Sequence, residues 1–259
     1  MGSAVANSRA RATRGSNSLS RALTRTRKVD VTERKVVRHP VVRSILMSEG
    51  ERGFYDLVTD AIKEYAWSHD VSDGFLLATP QRQLSSCMYA AADSWTAQDV
   101  DDDGEEIIYE DLGIEPVKLE ISGFRQFLLS EIRGKFDLSE LKRHDSKFTC
   151  LSDVLRNFFA TYPLEKVVLF SYFRGTLHYL ADRLAASGIN ALVLMGGMKE
   201  DKTDVIERFR TDPRIRILLS SEVASEGVDL QFCRFLINYD LPWNPMKVEQ
   251  RIGRIDRHC

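Results

Sequence analysis

Cysteine is scarce in this chain and is spaced wrongly for a metal. Cys87, Cys150, Cys233 and Cys259 include no C-x-x-C pair, so no metal site is expected. Four scattered thiols fit a reducing cytosol better than a disulfide scaffold. No apolar run reaches the length that crosses a bilayer. The Arg- and Ser-rich start has no apolar stretch of the kind a secretory signal needs. Net charge is only -2, which gives no overall pull towards nucleic acid. A phosphate-cradling G-x-x-x-x-G-K-[ST] loop is also missing. Gly134-Lys135-Phe136 lacks both the leading glycine and the hydroxyl.

What is present is ordinary globular material. The 259 residues are 43% hydrophobic and 29% charged, enough for one large or two modest domains with a sizeable core. Charge is unevenly spread. Through Arg43 there are eleven Lys and Arg against two acids, and from Asp99 to Asp111 there are eight acids and no base. The acidic run has neither the spacing nor the closing Glu of a calcium loop, so it reads as a solvated loop.

Ser48-Glu49-Gly50-Glu51 opens a helix, with Phe54, Leu57, Val58, Ile62 and Tyr65 at helical spacing. A single helix is expected from about Gly74 to Trp95, and one or two more over 117–142. The texture changes at His144. Asp145-Ser146-Lys147 precedes an apolar helix, and Val167-Val168-Leu169-Phe170 is a short continuous apolar run, the mark of a buried strand. Helices at 175–187 and 199–210 then alternate with strands at 191–194, 215–219 and 235–238. Asn244 and Pro245 open a last helix. That alternation predicts an α/β fold, a parallel sheet with helices on both faces, after a mainly helical segment.

Ligands of open α/β sheets bind beyond the carboxyl ends of the strands. Three stretches fall there by order alone: Ser171-Tyr172-Phe173-Arg174, the loop from Ser220 to Asp229, and Asp240-Leu241-Pro242-Trp243-Asn244. The last leads to Gln250-Arg251-Ile252-Gly253-Arg254-Ile255-Asp256-Arg257. If the helix runs through Arg257, then Gln250, Arg254 and Arg257 share one face and Val248, Ile252 and Ile255 the other. Forked, always-charged donors held rigidly suit a phosphate. The plain alternative is a basic last helical turn, which the helix dipole favours anyway.

In these landmarks the chain resembles the second RecA-like lobe of superfamily-2 helicases, and within them the SWI/SNF-type DNA-dependent ATPases. Phe170-Ser171 with Thr176-Leu177 is similar to motif IV, Ser220 to Asp229 to motif V, and Gln250-Arg251-x-Gly253-Arg254-x-x-Arg257 to motif VI. Arg25-Thr26-Arg27-Lys28 resembles the stretch where that family leaves its first lobe, and Asp145-Ser146-Lys147 the start of the second. The resemblance implies three parts: 1–43 a basic connector, 44–143 a helical insertion with an acidic loop, and 144–259 the RecA-like lobe.

It also implies roles. Arg254 and Arg257 would be arginine fingers, with Gln250 ordering the attacking water. Gly227, Asp229 and Arg251 would lie at the nucleotide. Ser171, Ser220, Ser221 and Arg174 would contact the nucleic-acid backbone, although the serines could instead cap helices. ATP would be the cofactor, with Mg2+ held by a first lobe that this sequence lacks along with its Asp-Glu-x-His box. Double-stranded DNA and an N-terminal ATPase lobe would be the partners, in the cytoplasm (on the nucleoid, if bacterial). Such a piece would be cut at both ends and hydrolyse nothing alone. The alternative is a stand-alone binding module that docks on another ATPase lobe.

Overall fold

The computed structural model describes residues 38–70, 73–97, 121–222, 224 and 227–256. The basic connector up to residue 37, the acidic run 99–111 and Arg257 lie outside these described residues. The described residues from His39 to Asp256 form one compact unit.

Helix α1 (Glu49–Ser68) begins where the sequence says it should. Ser48 caps it, its hydroxyl accepting from Glu51 N at 3.3 Å while Glu51 Oε2 accepts from Ser48 N at 2.7 Å. This capping box satisfies two amides that the first turn otherwise leaves unpaired. Phe54, Val58, Ala61, Ile62 and Tyr65 then bury one face. They pack with Leu76, Leu84, Trp95, Leu128, Ile132 and Leu141 into a helical core. Its other walls are α2 (Asp73–Ser86), α3 (Met88–Ala97), α4 (Ile121–Ile132) and α5 (Leu138–Arg143).

The single helix expected from Gly74 to Trp95 is two. It breaks at Cys87 for a reason far off in sequence. The Lys147 ammonium donates to the carbonyls of Ser85 (2.8 Å) and Ser86 (3.2 Å), and Ala90 N meets Cys87 Sγ instead of Ser86 O. A cation at the end of a helix satisfies carbonyls that continuation would have used.

Helix α6 (Ser146–Thr161) is capped by Asp145, whose Oδ1 accepts from Phe148 N at 2.7 Å. After it, β1 (Val167–Phe170), α7 (Arg174–Ala186), β2 (Asn190–Leu194), α8 (Lys202–Thr211), β3 (Ile215–Ser220), β4 (Phe235–Asn238) and α9 (Pro245–Gly253) complete the chain. The strands pair in the order β2-β3-β1-β4, all parallel. This is the RecA-like α/β architecture.

Both faces of the sheet are covered, as the continuous apolar strands require. Val167, Leu169, Ile217 and Leu219 pack on one face with Ala90 of α3, Leu151 and Leu155 of α6, and Leu177 and Leu180 of α7. Val168, Phe170 and Leu218 alternate to the other face, against Val205, Ile206 and Phe209 of α8 and against Leu230 and Cys233. In the register, Phe170 pairs with Ser220 and Asn238, and Leu194 with Ser220. The carboxyl ends of all four strands are therefore level, and the loops that leave them share one rim.

The helical segment is tied to this layer by a second use of a capping carboxylate. Glu51 also accepts from Ser146 N (2.9 Å) and Ser146 Oγ (2.6 Å) at the start of α6. Burial works to raise its pKa, but the hydrogen bonds from Ser146 and Ser48 outweigh it and hold the carboxyl below the usual glutamate value.

Candidate functional site

The rim is built on α9. Asn244 caps it, accepting from Met246 N at 2.9 Å, and Pro245 takes the first position, where its missing N–H costs nothing. The regular helix ends at Gly253. Arg254 N turns to Arg251 O (3.2 Å) and Ile255 N to Ile252 O (3.0 Å), a tightened last turn. Arg254 O accepts from Leu230 N at 3.1 Å. Gln250 is exposed on α9, and Arg254, the C-cap four residues on, keeps helical backbone angles (φ −76°, ψ −23°); the third member of the expected face, Arg257, lies outside the described residues.

The Leu230–Arg254 bond brings two of the expected stretches together. Gly227, Asp229 and Arg254 stand along one short piece of rim. Gly227 sits at φ +76°, a conformation that L side chains rarely adopt, so the turn after β3 requires glycine there. Asp229 is exposed, and its Oδ1 accepts from Gln231 N at 2.9 Å, an Asx turn that points the carboxylate along the loop.

Arg251 does something other than expected. Its side chain is 1% exposed, which removes it from any surface a nucleotide could reach. Nε donates to Glu222 Oε2 at 2.9 Å, and Nη2 also donates to that oxygen. Nη1 donates to Asn238 Oδ1 (2.8 Å) and to Asp240 O (3.0 Å). The guanidinium lies over the Phe170 and Tyr172 rings, at 5.2 and 5.0 Å from their centroids. One buried cation therefore fastens α9 to the loops after β3 and β4.

The serines are likewise below the rim. Ser171 and Ser220 are fully buried and Ser221 nearly so. Ser171 Oγ donates to Asp240 Oδ2, Ser220 Oγ to Ser221 O at 3.1 Å, and Ser221 Oγ accepts from Ala224 N at 3.4 Å. They brace loops and in this conformation offer no hydroxyl to a nucleic-acid backbone. Arg174 stands apart from them at the start of α7, near Gly197 of the β2–α8 loop. It lines an open cleft of about 500 Å³ between α3 and α7, with Asp93, Lys142, Thr176, His178 and Asp182. Arg254, Gly227 and Asp229 are not part of that cleft.

Sequence reading missed the residue that organises the rim. Asp240 Oδ2 accepts from Ser171 Oγ, Ser86 Oγ (2.9 Å) and Tyr172 N (3.2 Å), and Oδ1 accepts from Lys147 Nζ (3.3 Å). The Lys147 ammonium also lies 4.0 Å from the Tyr239 ring centroid. The only signal in the sequence was that Asp240 opens the turn into α9.

The Leu230–Arg254 bond joins a loop with an exposed carboxylate, Asp229, and a glycine turn to an arginine. Among the described residues no group of three His, Cys, Asp or Glu side chains comes together to hold a metal.

Residues 146–259 match the helicase conserved C-terminal domain family. An uncharacterized ATP-dependent helicase of Bacillus subtilis, YqhH, is 47% identical over 94 residues, 36% of this chain and 16% of that protein. The ATP-dependent RNA helicase FAL1 of Candida albicans is 29% identical over 140 residues, 54% of this chain and 32% of that protein. The chain thus spans about a third or less of the curated relatives it matches. Among solved structures, the C-terminal part of the Fun30 ATPase domain shares the fold with a TM-score of 0.56 at 18% identity, covering 83% of this chain and 79% of that one. The Pyrococcus furiosus Hef helicase domain does so with a TM-score of 0.51 at 17% identity, covering 86% and 54%.

Proposed function

We propose that this lobe supplies one side of an ATP site in a nucleic-acid translocase of the SWI/SNF type. Arg254 and Arg257 serve as the fingers that stabilise charge on the γ-phosphate, Gln250 orders the attacking water, and Gly227 and Asp229 meet the nucleotide. The phosphate cradle and Mg2+ belong to a second RecA-like lobe carrying a P-loop, which closes on this rim as the two lobes cycle. The bound ATP supplies the free energy that opens and closes the lobes.

The reading rests on the Leu230–Arg254 bond, which holds Asp229 and an arginine side by side at the carboxyl edge of the sheet. Arg251, buried, keeps that edge in register and leaves the finger role to Arg254 and Arg257. Arg174, beyond the buried serines, is the residue kept as a nucleic-acid backbone contact. The resemblance to SWI/SNF-type ATPases is what points to duplex DNA. The names of relatives such as FAL1 make RNA the competing substrate.

The test is reconstitution. This chain is mixed with a P-loop lobe from an ATP-dependent helicase of the same family, and ATP turnover is measured with duplex DNA, with duplex RNA and with neither. Turnover that needs both proteins and rises with DNA supports the reading. Loss of about 10³-fold or more is expected for Arg254→Ala, the scale of an arginine finger. Turnover by the purified chain alone, or a full rate with Arg254→Ala, would refute it. A chain that binds the partner lobe tightly but adds no turnover would be a docking module instead.

A further inference from the structure

We propose that Asp240 is a positioning residue that makes the placement of Arg254 depend on helix α2 of the helical segment. The inference rests on the nucleotide-site reading for its consequence, though not for its geometry. Asp240 sits midway between β4 and α9, with its side chain 10% exposed. Its carboxylate collects donors from three other elements: Ser86 of α2, Lys147 of α6, and the Ser171 hydroxyl and Tyr172 amide of the β1–α7 loop. Its own carbonyl accepts from Arg251 Nη1, so the same residue also fixes the buried guanidinium of α9.

The link to α2 is doubled. Lys147 holds the last carbonyls of α2 while it pairs with Asp240, and Ser86 Oγ also meets Thr176 Oγ1 of α7 at 2.9 Å. A shift of the α2 terminus therefore cannot occur without breaking hydrogen bonds at Asp240 or carrying the β4–α9 connection with it. That connection ends, through α9, at Arg254 against Leu230. In a buried polar network of this kind the members hold or fail together. Whatever moves the helical segment thereby reaches the finger.

Hydrogen exchange on the intact chain tests the coupling directly. Ser86→Ala removes only the α2 hydroxyl, and Asp240→Asn removes the charge at the hub. Each should speed exchange at residues 239–243 and 251–256 about tenfold, the scale of losing a hydrogen bond to a charged group, with β1 and β3 unchanged. An effect of Ser86→Ala confined to residues 83–90 overturns the proposal. If Asp240→Asn loosens β1 and β3 as well, Ser86→Ala decides alone. In the reconstituted enzyme, Ser86→Ala should lower kcat several-fold and leave the KM for ATP in place. Failure of wild-type turnover would sink the functional reading while the exchange result still stands or falls by itself.

Discussion

Replacing Arg251 with Met probes how the rim is held. The guanidinium makes four hydrogen bonds, two to Glu222 and one each to Asn238 and Asp240 O, and lies between buried aromatic rings. Its side chain is 1% exposed and that of Glu222 13%. Methionine fills part of the volume but takes the Arg251 cation away from the Glu222 carboxylate in a nearly dry site. Removing one partner of a buried ion pair costs about 3–5 kcal/mol. For a chain of this size the lower figure corresponds to roughly 6–12 °C in Tm. Lysine should not rescue, because a single ammonium cannot serve Glu222, Asn238 and the 240 carbonyl together. Adding Glu222→Met should recover part of the loss, so the double variant should be less destabilised than the two single variants summed, by about 1–3 kcal/mol. Thermal and urea unfolding followed by circular dichroism would read this. If Arg251→Met costs under about 1 kcal/mol and the two changes add, Arg251 is not the fastener and the corrected role is wrong.

Other consequences are smaller and separable. Gly227→Ala meets no atom within 4 Å, so its cost is backbone strain alone, about 1–2 kcal/mol in unfolding free energy; a neutral result would mean the turn is not left-handed. Ser48→Ala removes the cap of α1 and should cost about 1 kcal/mol by the same measurement. Glu51, whose pKa is depressed on folding, contributes stability that is present above its unfolded value near 4.5 and lost as pH falls through the lower folded value. Glu51→Gln should therefore flatten the acid limb of the stability profile below that pH, and an unchanged limb would contradict the assignment. Burial, with Asp145 nearby, pushes the Cys87 thiol up to about 12. At pH 8 it should resist alkylation until the chain unfolds, which mass spectrometry of labelled peptides would show.

The architecture was legible because it rests on local pattern. The capping box at Ser48, the Asp145 cap before an apolar stripe, the four-residue apolar run of β1 and the Asn244-Pro245 start of α9 are all read within a few residues. What escaped is what depends on partners far along the chain. The break at Cys87 is made by Lys147, some sixty residues on. The turn after α9 is joined by Leu230, some twenty residues back, through the Arg254 carbonyl. Arg251 resembles a surface cation until Glu222, Asn238 and Asp240 are seen around it, and the serines resemble ligand contacts until their acceptors inside the fold are known. A motif marks where polar residues gather. It does not say which of them face outward, and here several point into the wall that supports the rim.

Transition-state trapping tests the central claim most directly. With a P-loop lobe, ADP and aluminium fluoride, the chain should form a complex that survives gel filtration and is lost when the nucleotide is omitted. Arg254→Ala should abolish the trapped complex while the variant still folds, because stabilising the transferring phosphoryl group is the work assigned to that guanidinium. A trapped complex of equal stability with Arg254→Ala would place the phosphate contact elsewhere and contradict the account.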